Sequence, residues 1–103
     1  MKLVSIETIP GKNFEVIGVV KGTIVQSKNF GKDFMAGMKT LVGGEISSYT
    51  EMLVEARQIA TKRMVDEAEQ LGAEAIVGVR YASSSVMQGA AEVMAYGTAV
   101  KYI

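Results

Sequence analysis

Three arginines of this sequence, Arg57, Arg63 and Arg80, fall on or beside apolar positions. A guanidinium in such a place has two uses. It can close an ion pair across a subunit contact, or it can grip an anionic ligand. Lys28, Lys32 and Asp33 sit in a strand-to-helix turn, where loop side chains can line the mouth of a ligand site. Lys28, Lys32, Asp33, Arg57 and Arg80 are therefore the candidate ligand-binding residues. Glu51 and Glu55 share one helix face at i,i+4, and Asp66, Glu67 and Glu69 cluster further on. Such oxygens can hold a hard cation, but a solvated helix face is the plainer reading. The methionines offer thioethers to Cu(I). Met35, Met38, Met52 and Met64, however, lie on apolar helix stripes, where Met is an ordinary core filler. Gly43-Gly44 precedes a helix start, where backbone N–H groups favour an anion; a glycine joint that lets two helices turn is the plainer reading. No catalytic residue, metal ligand set or cofactor emerges from these groups.

The chain has no Cys and no His. That removes Ser–His–Asp and Cys–His catalysis, thiolate metal sites, disulfides and the most common general base. There is no phosphate loop and no dinucleotide fingerprint. Lys plus Arg equals Asp plus Glu, 11 against 11, so no basic excess points to nucleic acid or to an anionic membrane. Glu7 interrupts the N-terminal apolar run before it reaches the length of a signal peptide core. No run approaches the ~18–20 apolar residues of a membrane span. The expectation is a soluble cytoplasmic protein. With 103 residues, one domain over 1–103 is the default.

The elements that must position these groups centre on one helix. Ser48-Tyr49-Thr50-Glu51 reads as a capping box and Gly72 as a stop, so the spacing predicts a long helix over Ser48–Leu71. Tyr49, Met52, Leu53, Ala56, Ile59, Ala60, Met64, Ala68 and Leu71 recur at steps of three and four and form its apolar stripe. Lys62 with Asp66, and Arg63 with Glu67, stand at i,i+4 on its other faces. Before it, Phe30–Val42 has helical spacing but carries Gly31 and Gly37, and is expected to be a shorter helix. Strands are expected at Leu3–Ile6, Phe14–Ser27, Ala75–Met87 and Ala91–Tyr102, with turns at Pro10-Gly11 and Gln88-Gly89-Ala90. The last two strands form an antiparallel hairpin. The order is β-β-α-α-β-β: an α+β domain, roughly four strands of mostly antiparallel sheet on one long and one short helix.

A sheet with one helical layer should turn polar on its other face. Simple alternation instead places Val77, Val79 and Tyr81 on one face, and Ile76, Gly78 and Ala82 on the other. In the last strand Val93, Ala95 and Ala99 oppose Met94, Tyr96, Val100 and Tyr102. Both faces are largely apolar, and closing about four strands into a barrel within one chain is hard. A second copy of the chain is the expected cover.

Several segments resemble the YbjQ family, in order and spacing. They are Gly22-Thr-Ile-Val-Gln-Ser-Lys-Asn29, Asp33-Phe34 with Ala36-Gly37, Leu41-Val-Gly-Gly-Glu-Ile46, Tyr49-Thr-Glu-Met-Leu53 and Glu55-Ala-Arg57. Leu71-Gly-Ala73, Ile76-Val-Gly-Val-Arg80, Glu92-Val93 and Ala95-Tyr-Gly-Thr-Ala99 complete the set, which covers nearly the whole chain. The resemblance implies a small bacterial α+β protein of a family without a defined function, some members labelled heavy-metal-binding, that assembles as a ring-like pentamer. It carries over no catalytic residue.

The resulting expectation is a non-enzymatic, soluble homo-oligomer, a pentamer, that holds a small ligand or ion between subunits, with no nucleic-acid or membrane partner. A metal-binding module is the first alternative. An enzyme with an intersubunit Arg, Lys and carboxylate pocket is the second.

Overall fold

The computed structural model describes residues 1–27 and 43–103, with helix side chains from Ser47 onward. Its elements are β1 (Lys2–Leu3), β2 (Phe14–Ser27), α1 (Gly43–Gln70), β3 (Ala75–Met87) and β4 (Ala90–Tyr102). They make an α+β fold: a four-stranded mixed sheet, order β1-β3-β4-β2, with α1 on one face. The expected helix over Phe30–Val42 lies outside the described residues. β2 with β4 and β3 with β4 are antiparallel, and β1 runs parallel to β3. The β3–β4 hairpin stands as expected, turning on Gln88-Gly89.

Two boundaries differ from the sequence reading by more than one residue. α1 begins at Gly43, not Ser48. A Ser-x-x-Glu spacing is the same inside a helix as at its start. Two upstream glycines cost only about 1 kcal/mol each, which a helix of this length absorbs. The first strand shrinks to Lys2–Leu3, but the chain beyond it still follows β3. Val4 N–H donates to the Ile76 carbonyl, Val79 N–H to Val4, and Gly78 N–H to Ile6.

Residues at steps of four, Met52, Ala56, Ala60, Met64 and Ala68, are buried on the sheet side of α1. Of these, Ala56, Ala60, Met64 and Ala68 pack on Val20, Ile76, Val79, Val93, Ala95 and Ala99. Burying a side chain the size of Val20, Ile76 or Met64 contributes about 1.5–3 kcal/mol. The alanines let the helix sit close, as does Gly22, where a Cβ would run into the Ala60 carbonyl and Met64 nitrogen. Two side chains of α1 also serve the backbone of β2. The Arg63 Nη1 donates to the Thr23 carbonyl at 2.7 Å, and the Glu67 carboxylate accepts the Lys21 N–H at 3.2 Å. The sequence spacing pairs these two groups with each other; each instead bonds to the backbone of the edge strand. Lys62 and Asp66 do pair as expected, at 3.1 Å and exposed.

The opposite face of the sheet has its own small core of Ile9, Ala75, Val77 and Val100, flanked by Val4, Phe14 and Tyr102. The strand alternation breaks three times, with one extra residue between Val16 and Gly18, another between Val77 and Arg80 and a third between Ser85 and Met87. At the second, Gly78 takes φ +63°, a conformation that favours glycine. The bulge moves Val79 to the helix side, away from Val77. Val77 and Val79 therefore do not share a face, and each is covered by its own chain. The apolar surface left open lies elsewhere: Val16, Val19, Val25, Tyr81, Val86, Met87 and Tyr96 are all exposed.

Candidate functional site

Arg57 stands on an exposed turn of α1, with Gln58, Thr61 and Lys62 beside it. Across from them is Tyr81 of β3, placed on the helix side by the same bulge. The Thr61 hydroxyl donates to the Arg57 carbonyl at 2.7 Å, one turn back along the helix. Its only hydrogen is thereby used, so the 2.9 Å contact between Thr61 Oγ1 and Tyr81 Oη is donated by the tyrosine. This chain of hydrogen bonds holds the Tyr81 ring against the helix.

Two adjoining hollows share Arg57 and Tyr81. The inner one, about 100 Å³, is lined further by Leu53, Ala82, Ser83 and Val93. The outer one is an open shelf of about 570 Å³ bordered by Gln58, Thr61 and Lys62. Together they form one cleft between α1 and β3, apolar at its base and cationic at its rim.

Arg80 lies on the other side of the sheet. It pairs in register with Tyr96, and its Nη1 donates to the Ser5 carbonyl at 2.6 Å and to the Val79 carbonyl at 3.0 Å. Those bonds fasten the N-terminal segment over the bulge. A separate hollow of about 400 Å³ beside it is lined by Glu7, Phe14, Val16, Val77 and Thr98. Arg57 and Arg80 are thus separated by the sheet and serve different sites. Lys28, Lys32 and Asp33 lie outside the described residues. The sequence reading did not mark Tyr81, Thr61 or Gln58 as site residues. Thr61, four residues after Arg57, carried a faint signal; Tyr81 carried none, because its face depends on the bulge.

The whole chain, residues 1–103, matches the YbjQ family, described as "Putative heavy-metal-binding". A UPF0145 protein of Clostridium novyi is 60% identical over 103 residues, covering 100% of both chains. One from Clostridium perfringens is 63% identical, covering 99% of this chain and 97% of its own. One from Thermus thermophilus is 59% identical over 98 residues, covering 94% of this chain and 86% of its own. A crystal structure of a protein of unknown function of the DUF74 family, from Pediococcus pentosaceus, superposes with a TM-score of 0.65. It covers 100% of this chain and 98% of its own at 18% identity, a likeness of fold.

A heavy metal prefers thiolate, imidazole or thioether donors, and Cys and His are absent from the sequence. Among the described residues, no three carboxylates come together to hold a metal ion. The thioether of Met64 is buried in the seam between helix and sheet, and Met52 is buried as well. Among the described residues, these donors do not fit a heavy-metal centre. Among the described residues, no helix is long and apolar enough to cross a membrane. Matched from first residue to last, and more than half identical to these relatives, the chain belongs to the YbjQ family, the UPF0145 proteins, a family of uncharacterised bacterial proteins.

Proposed function

We propose that this protein is a non-enzymatic homo-oligomer whose copies cover one another's open strand surface, and which holds a small ligand in the cleft between α1 and β3. The observation that carries the reading is the outer edge of the hairpin. From Tyr81 to Ala91 the chain has no charged residue. Val86 and Met87 are 51% and 66% exposed there. Past Arg80, β3 has no strand on its outer side among the described residues. Exposed edges are ordinarily guarded by charge, proline or a covering element. An unguarded edge with apolar side chains is a surface that belongs against something.

The shape supports the same reading. The fold measures 57 × 23 × 18 Å with a radius of gyration of 17.2 Å, where a compact domain of this length has about 13 Å. Among the described residues, Val16, Val19 and Val25 of β2 stand exposed on this elongated slab. In the terms of the family resemblance, the assembly is a ring-like pentamer. Size-exclusion chromatography with light scattering, at micromolar protein, tests the proposal. A mass of several chains is expected, falling to one chain in Val86→Lys with Met87→Lys. A parent protein that elutes as a monomer refutes the assembly.

A further inference from the structure

We infer that the cleft between α1 and β3 takes a monocarboxylate with a short aliphatic tail, its head on Arg57 and its tail over Leu53 and Val93. This rests on the proposal that the cleft holds a small ligand, and adds the ligand's chemical class. Charge selects the head. The charged residues among the described lining are Arg57 and Lys62, both cationic, and no carboxylate is among them. Lys62 is already paired with Asp66 at 3.1 Å. Arg57 forms no ion pair among the described residues. Its planar fork can meet a carboxylate with two parallel hydrogen bonds.

The neighbouring hydroxyls sharpen the choice. The proton of Tyr81 is committed to Thr61, and that of Thr61 to the Arg57 carbonyl. Both oxygens therefore offer only lone pairs, which repel an anion. A carboxylate is directed away from them and onto the guanidinium, with the Gln58 amide as a further donor on the same rim.

Volume and lining select the tail. The inner hollow, at about 100 Å³, is smaller than the ~150 Å³ cavity known to accept benzene. It suits a chain of a few methylenes better than a ring. Leu53, Ala82 and Val93 give it apolar walls, and Leu53 packs on the buried core behind it. Each methylene that enters should tighten binding by up to about fourfold. The gain should stop once the hollow is full.

The test is a calorimetric or ligand-observed NMR titration of the full chain with hexanoate, hexanamide and hexylammonium, which share a tail and differ in charge. Hexanoate is expected to bind about tenfold or more tighter than hexanamide, hexylammonium weakest of all, and added salt should weaken hexanoate alone. In Arg57→Gln, an exposed substitution, hexanoate should fall to the level of hexanamide while hexanamide is unmoved. Equal binding of all three compounds, or undiminished hexanoate binding in Arg57→Gln, overturns the carboxylate class and leaves a ligand-holding cleft standing. If none of the three binds at millimolar concentration, the ligand-holding cleft fails as well. Assembly is read separately by light scattering, so its failure and this one are distinguishable.

Discussion

At Gly22 helix and sheet approach too closely to admit a Cβ, and Gly22→Ala tests whether that approach sets the fold. A Cβ built there stands 2.8 Å from the Arg63 Cβ and closer to the Ala60 carbonyl and the Met64 nitrogen. Carbon atoms settle at about 3.5–4.0 Å, so α1 must withdraw by roughly 1 Å. A gap of that size removes about a quarter to a half of the dispersion well from each contact it opens. Val20, Ala56, Ala60, Met64 and Ala68 all lie on that seam. The withdrawal also stretches the bonds from Arg63 to the Thr23 carbonyl and from the Lys21 N–H to Glu67. Overpacking in a close-fitted core costs about 1–3 kcal/mol. Because the obstacle is helix backbone and not the end of a flexible side chain, we expect the upper end, about 3 kcal/mol. For a domain of this size that lowers Tm by roughly 12–24 °C. Urea unfolding at one fixed protein concentration, with thermal melts alongside, measures it. Thr23→Ala, one residue on and facing the other way, is the control, expected to lie within about 1 kcal/mol of the parent. A Gly22→Ala protein within about 0.5 kcal/mol of the parent, with an unchanged m-value, would refute the close-approach argument.

Two further substitutions test local devices. Gly72 takes φ +79°, and the Ala73 N–H to Ala68 carbonyl and Gly72 N–H to Glu69 carbonyl bonds, each 3.0 Å, close a Schellman cap. Gly72→Ala should destabilise by about 1–2 kcal/mol, seen as a lower urea midpoint; no change would mean the cap contributes nothing. Arg80→Ala removes the clamp on the Ser5 and Val79 carbonyls, hydrogen bonds to a charged group worth about 1.5–3 kcal/mol. Hydrogen exchange should quicken at the Gly78 and Val79 amides, which the N-terminal segment protects, while the amides of α1 stay slow; a uniform change would assign Arg80 a global role instead.

Much of this fold was legible from residue order. The long helix with its Met52–Ala68 stripe, the stop at Gly72, the three long strands and the β3–β4 hairpin all follow from periodicity and punctuation, which act over a few neighbouring residues. So does the alternation of β4, where Val93, Ala95 and Ala99 do face the helix. The helix start at Gly43 was hidden because a capping pattern carries no record of the backbone before it.

The faces of β2 and β3 belong to tertiary structure. Counting by twos placed Val77, Val79 and Tyr81 together. One extra residue at Gly78 reverses that count, and a bulge is defined by register against a partner strand, which no single strand encodes. The same reversal moves Tyr81 to the helix, beside Thr61 and Arg57, and leaves Arg80 on the far side, bound to the N-terminal segment. The identities of the candidate cations could be read along the chain. Which of them meet across a cleft was settled only when a parallel first strand, the bulge at Gly78 and a close-set helix came together in space.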